Sequence, residues 1–146
     1  MKLIIVFISL LFMSPNTVIE DVMEEFHSLL SKKQENSFLK RYEKSKDPSV
    51  LAYVITLEIK QAEYAFSPLK KYNIFNTGKA KLEALVSENP KNMHLRYMRY
   101  LIQKGAPSFL GYKDNLVNDA AKIKSYLAIN IDSDSLSMYI QKNCSL

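Results

Sequence analysis

Residues 47–60 read DPSVLAYVITLEIK, and the arrangement of the other elements follows from this stretch. Asp47 is a favourable N-cap, and Pro48 suits the first helical position, where its missing N–H donor costs nothing. In the rest of the stretch apolar residues occupy nearly every face of a helix, so other elements should cover it on several sides. The sequence therefore predicts a central helix, which Ser67-Pro68 ends or kinks.

The segments on either side carry apolar residues at steps of three and four, the spacing of one helical face. Helices are predicted over residues 17–33, 38–46, 71–88, 92–103 and 115–129, with a short last helix that opens at Asp132 or Ser133. Lys32 and Lys33 should close the first of these helices. A β-hairpin around residues 53–56 is the rival interpretation, but no turn signal divides that run. The predicted fold class is all-α, with six or seven helices in antiparallel hairpins.

Residues 82–92 are similar to the junction between two tetratricopeptide units, in which one helix ends at an acidic-Pro-x-Asn turn and the next begins. A 34-residue period cannot be traced along the rest of the chain. We therefore expect a tetratricopeptide-like helical stack without a true repeat array.

A wider resemblance rests on residues 75–85, Asn89-Pro90, residues 95–99, Gln103 and residues 107–112. These stretches resemble small exported helical proteins of Bacteroidetes-type bacteria, a family without an assigned biochemical activity. The resemblance covers roughly residues 50–120. It implies a location in a Gram-negative envelope and supplies no catalytic residues.

Residues 1–14 are set apart from the fold as a signal peptide. Lys2 precedes an apolar run, residues 3–13, which only Ser9 interrupts. This run is too short for a stable membrane anchor, and a polar break follows it. An uncleaved N-terminal anchor is the alternative, because Phe12 is bulky for its place before a cleavage site. We expect an exported protein, periplasmic or secreted, with residues 15–146 as one helical domain.

The composition argues against several classes of function. Three glycines among 146 residues form neither a phosphate-binding loop nor a nucleophile elbow. His27 and His94 lack the spacing of metal ligands, and Cys144 has no second cysteine with which to form an internal disulfide. The sequence therefore predicts no catalytic residue, no metal and no cofactor, and both histidines are interpreted as ordinary interface or surface residues.

The charge pattern bears on possible partners. The formal net charge is +5, but lysines alternate with carboxylates along most helices, so no concentrated basic face for nucleic acid is expected. The densest basic stretch, residues 40–46, could touch anionic lipid head groups, although we favour a solvated face. No transmembrane segment is expected after removal of the signal peptide.

The connection over residues 105–112 is unusually apolar for a loop, since it carries Phe109, Leu110 and Tyr112. In the favoured interpretation, Phe109 and Leu110 plug the end of the helical core. In the alternative they form the rim of a groove for a ligand or peptide.

Arginine is rare in this chain, with three arginines against seventeen lysines, and two of the three are Arg96 and Arg99. A guanidinium group is needed where two parallel hydrogen bonds to a carboxylate or phosphate must form. We expect these arginines to pair with Glu58 or Glu63 of the central helix. The alternative is an anion site that includes Tyr100.

The leading functional hypothesis is a non-enzymatic module of the cell envelope that binds an unidentified envelope protein or peptide, because helical hairpins offer apolar grooves. The alternative is a small anionic-ligand binder or an enzyme that uses the Arg96/Arg99 face and the 105–112 loop. Its candidate residues are Arg96, Arg99, Tyr100, Phe109 and Tyr112.

Overall fold

The structure, a computed structural model, describes residues 15–131 and 133–146. The described residues form seven α-helices, two 3-10 segments and no strand, which confirms the all-α prediction. The α-helices are α1 (Pro15–Ser28), α2 (Lys32–Tyr42), α3 (Pro48–Lys60), α4 (Pro68–Glu88), α5 (Met93–Gly105), α6 (Leu116–Asn130) and α7 (Ser135–Asn143). The 3-10 segments are Gln61–Tyr64 and Ser108–Leu110. The predicted signal peptide, residues 1–14, lies outside the described residues.

Helix α3 is the central helix, as its sequence predicts. It contacts α1, α2, α4 and α5, and the side chain of Tyr53 is fully buried among them. Asp47 caps the helix by accepting a hydrogen bond from the Ser49 N–H at 2.8 Å. The helix ends at Lys60 in the 3-10 turn Gln61–Tyr64, before the predicted break at Ser67-Pro68.

The predicted boundaries of two helices are wrong because a serine caps an earlier start. Ser31 accepts from the Gln34 N–H at 3.3 Å, so Lys32 and Lys33 open α2 instead of closing α1. In the same way Ser67 accepts from the Lys70 N–H at 3.0 Å, and α4 begins at Pro68. A serine followed by a helix-compatible residue is a weak sequence signal, since serine is also common in turns.

Helices α3, α4 and α5 pack in alternating directions. The end of α3 meets the middle of α4, where Lys81 Nζ lies 2.7 Å from Glu58 Oε2. Asn92, which caps α5, donates to Ser49 Oγ at the start of α3, at 2.9 Å. Among the described residues, no helix is long and apolar enough to span a bilayer.

The contact between α3 and α4 depends on a glycine. A Cβ atom built on Gly78 would lie 2.2 Å from Ile59 Cγ1, which is far inside van der Waals contact. Gly78 therefore lets the two helices approach closely, and Ile59 occupies the space that a side chain would need.

Gly78→Ala should lower the free energy of unfolding by about 1–3 kcal/mol, the usual cost of overpacking. Gly105→Ala is the matched control, because a Cβ atom on this second helical glycine meets nothing within 4 Å. The control should leave stability unchanged or raise it by up to about 1 kcal/mol. Urea denaturation followed by circular dichroism measures both, and equal effects at the two positions would contradict the close contact.

Candidate functional site

An apolar groove lies where α3 ends, α4 begins and α5 ends, and its volume is about 630 Å³. We call it the end groove. One wall comes from α3 and the following 3-10 turn, with Thr56, Ile59, Lys60, Ala62 and Glu63. The second wall comes from α4, with Pro68, Lys71, Tyr72 and Phe75. The third comes from α5 and the connection after it, with Leu101, Ile102, Gly105, Ala106, Pro107, Phe109 and Leu110.

Phe109 belongs to the rim of this groove and not to the core. Its side chain is 86% exposed, so the favoured interpretation of Phe109 as a core plug is wrong. Leu110, the other residue of that interpretation, is half-buried and packs against the core. The 3-10 turn ends at Gly111, whose φ of 58° is left-handed. Tyr112, on the far side of Gly111, is buried instead.

The connection between α3 and α4, together with the first turns of α4, adds further exposed apolar side chains beside the end groove. Phe66 is fully exposed, Leu69 and Tyr72 are more than half exposed, and Tyr64 is partly exposed. Large apolar side chains gathered in one exposed segment are typical of interaction surfaces. Sequence reasoning missed this segment and the α3 and α4 walls. The available signal was the set of large apolar residues on either side of Ser67-Pro68, namely Tyr64, Phe66, Leu69 and Tyr72.

A second feature is a buried ion cluster centred on Asp119, in the first turn of α6. The Asp119 side chain has no solvent exposure. Its carboxylate accepts from Arg99 Nε at 2.6 Å, from Arg99 Nη2 at 2.8 Å and from Arg96 Nη1 at 2.9 Å. Arg99 therefore binds the carboxylate with two parallel bonds, the geometry for which arginine is suited and lysine is not.

Glu83 of α4 extends this cluster. Arg99 Nη1 donates to Glu83 Oε2 at 2.9 Å, and the hydroxyl of Tyr112 donates to the other oxygen of the same carboxylate. Burial alone would lower the pKa of Arg99, but Asp119 and Glu83 outweigh it and raise that pKa above its ordinary value. Burial and the bond to Glu83 likewise raise the pKa of Tyr112. The cluster thus joins α4, α5, α6 and the connection between α5 and α6.

Glu58 and Glu63 do not pair with the arginines, and the prediction of these partners is wrong. Glu58 pairs with Lys81, and Glu63 lies in the wall of the end groove. Arg96 and Arg99 lie on the side of α5 that faces α6 and the end of α4. Asp119 was missed although it lies on the apolar stripe of α6, four residues before the fully buried Ile123.

The guanidinium groups are engaged within the chain. Arg96 donates through Nε and Nη2 to the Pro90 carbonyl, at 3.0 and 2.6 Å, in addition to its bond with Asp119. Every nitrogen of Arg96 and Arg99 therefore already donates to an oxygen, and neither arginine lines the end groove. Tyr100, the remaining candidate on this helix, is buried, and its hydroxyl lies 3.5 Å from the Ser145 carbonyl.

The two histidines lie in an aromatic cluster with Tyr53 of α3, Tyr97 of α5 and Tyr139 of α7. His94 Nδ1 lies 2.8 Å from the hydroxyl of buried Tyr53, and His27 Nε2 lies 3.3 Å from the hydroxyl of buried Tyr97. The ring of Tyr139 stacks on His27 at 4.5 Å. Burial lowers the pKa of each histidine to about 4, with a smaller effect of Lys142 on His27; for His94, Asp47 and Asp134 act in the opposite direction.

The thiol of Cys144 lies apart from the end groove. Burial raises the pKa of Cys144 to about 11, so its thiol stays protonated at neutral pH. Within residues 15–131 and 133–146, no three side chains of the metal-ligating kinds come together to hold a metal ion.

No family model, curated protein or solved structure matches this chain. The resemblance to small exported helical proteins, and the tetratricopeptide-like relationship, stay predictions from the sequence.

The histidine pairs make stability depend on pH. Both histidines have a lower pKa in the folded chain than in the unfolded chain, so the unfolded state takes up protons first as the pH falls below about 6.5. The free energy of unfolding should therefore fall by about 1–3 kcal/mol between pH 7 and pH 5, a range above the usual pKa of Asp and Glu. Melting temperatures across this range measure the slope.

The double variant His27→Gln/His94→Gln is the control for this prediction. It should flatten the dependence on pH between 7 and 5, whatever its stability at pH 7. An equally steep slope in the variant would show that other groups cause it.

Proposed function

We propose that this protein is an exported, non-enzymatic binding module whose end groove takes an apolar segment of another protein or a peptide. The composition of the end groove supports the proposal, because its walls are mostly apolar and Phe109 and Tyr72 are exposed at its rim. Its volume of about 630 Å³ is within the range of ligand-binding clefts. Export rests on residues 1–14, which lie outside the described residues.

The polarity of the walls supports an apolar polypeptide over a small polar metabolite. A site for a polar metabolite needs several polar groups that converge on it. The end groove offers only Thr56, Lys60, Glu63, Lys71 and the Tyr72 hydroxyl among its sixteen lining residues. An apolar side chain that enters such a groove gains the transfer of its surface from water, at roughly 25 cal/mol per Å² buried.

The positions of the two arginines give less support to the alternative function, a small anionic-ligand binder or an enzyme. That function needs the Arg96/Arg99 face and the 105–112 loop to form one site. The loop contributes to the end groove, whereas the two arginines are bound to Asp119 and Glu83. The geometry therefore favours binding of apolar side chains over binding of an anion.

A selection from a displayed library of random 15-residue peptides tests the proposal on the purified protein. Selected peptides should bind the wild type and lose about tenfold in affinity with Gly105→Gln, because Gly105 lines the groove and has room for a Cβ, so the added side chain should obstruct the peptide. Phe109→Ala should weaken binding by about three- to tenfold and leave the melting temperature unchanged, since the ring is exposed.

Val117→Ala is the matched control, because Val117 is 82% exposed on α6 and does not line the end groove. It should leave peptide binding unchanged. The proposal fails if no peptide is enriched, or if the enriched peptides bind Gly105→Gln as tightly as the wild type.

A further inference from the structure

The charges around the end groove are unevenly distributed between its walls. On the α3 side, Lys60 Nζ lies 2.8 Å from Glu35 Oε1, and Glu63 follows one turn later. Lys32 is also on this side, with its Nζ 4.8 Å from the ring centre of Tyr64, so two carboxylates and two cations balance there. Glu35 is almost completely buried, and Lys60 and Gln61 both donate to it at 2.8 Å, so this pair is part of the fold.

The α4 side of the rim is positive. Lys71 lines the end groove, and Lys70 precedes it on the same exposed turn. Among the described residues neither lysine forms an ion pair, and the first turn of α4 contains no acidic residue. We call Lys70 and Lys71 the basic rim.

We infer that the end groove takes a segment whose apolar anchors are flanked by acidic side chains, and that the basic rim binds those acidic side chains. This inference rests on the proposed function and adds the chemistry and direction of the partner. Apolar side chains enter between the three walls. The acidic flank lies along α4, because the α3 side already carries Glu63 and would repel it.

The position of the basic rim is locally unfavourable for the free protein. The N-terminal turn of a helix carries a partial positive charge, so two lysines there destabilise the helix. An acidic partner removes this disadvantage in the complex. Replacing the lysines should therefore stabilise the free chain while it weakens binding, which separates a binding role from a structural role.

The shape of the surface favours a polypeptide over a lipid bilayer. Exposed Phe66 and Leu69 beside lysines would also suit an anionic membrane surface. A planar membrane, however, would touch only the rim and leave the walls around Ile59, Phe75 and Ile102 unused. A chain with protruding side chains can fill a groove of about 630 Å³.

The experiment uses the tightest-binding peptide from the library selection in three forms with the same apolar core and with Glu, Gln or Lys flanks. The Glu form should bind the wild type about fivefold more tightly than the Gln form at low salt, and the Lys form more weakly than either. The advantage should shrink at 0.5 M salt, which screens exposed charges. Equal affinity of all three forms overturns this inference, while the proposed function still stands.

The double variant Lys70→Glu/Lys71→Glu should reverse the order, so that the Lys form binds best, and its melting temperature should equal or exceed that of the wild type. The matched control is Lys122→Glu/Lys124→Glu on the exposed surface of α6, which makes the same change in net charge away from the end groove. The control should keep the wild-type order. Reversal in the control as well would show that only net charge matters, and would overturn the inference.

Sedimentation with vesicles of phosphatidylglycerol and phosphatidylcholine completes the test. Little binding to either kind is expected. Binding to anionic vesicles that is lost in Lys70→Glu/Lys71→Glu, together with no advantage for the Glu peptide, would overturn the inference in favour of a membrane surface. If no peptide was enriched in the selection, the proposed function itself has failed.

Discussion

The rest of the structure depends on the buried carboxylate of Asp119 and the two arginines that bind it. A carboxylate without solvent contact is costly unless it is paired and hydrogen-bonded, and removal of one partner from such a pair typically costs about 3–5 kcal/mol. A buried ion pair need not add net stability over an apolar contact of the same volume. Its contribution here is geometric, since two parallel bonds from Arg99 fix α6 against α5 in one register, and the third nitrogen of Arg99 fixes Glu83 of α4.

This cluster determines the position of the end groove although it does not line it. The Glu83 carboxylate that Arg99 binds also accepts a hydrogen bond from the Tyr112 hydroxyl, and the ring of Tyr112 meets Phe75 edge-on at 5.9 Å. The connection between α5 and α6 is thereby held against α4. Its opposite side, with Phe109 and Leu110, becomes the third wall of the groove. Helix α4 connects both features, because its last turns carry Glu83 and its first turns carry the basic rim.

The sequence predicts well what depends on a single helix. The apolar residues on every face of residues 48–60 predict the central helix, and the choice of arginine at positions 96 and 99 predicts a bidentate partner. Which carboxylate binds them depends on which helix packs against that face of α5, and Asp119 is twenty residues from Arg99 along the chain. The groove is harder still, because Ile59, Phe75 and Ile102 look like core residues in the sequence. An apolar loop residue such as Phe109 suits burial and binding equally, and its exposure of 86% depends on how the connection packs against the helices.

Amide hydrogen exchange in the Arg99→Lys variant tests most directly whether the ion cluster holds the groove wall. A lysine cannot form the parallel pair of bonds to Asp119 and also reach Glu83. If the ion cluster holds the wall, exchange should be about tenfold faster at Leu110 and Gly111, whose amides bond within the connection, and at Asp119, whose amide bonds to the Asn115 carbonyl. Amides in the middle of α3, such as those of Val54 and Ile55, should lose no more protection than the variant's fall in global stability explains. Unchanged exchange throughout the connection, or an equal increase in α3 and the connection, would show that the ion cluster does not hold the wall.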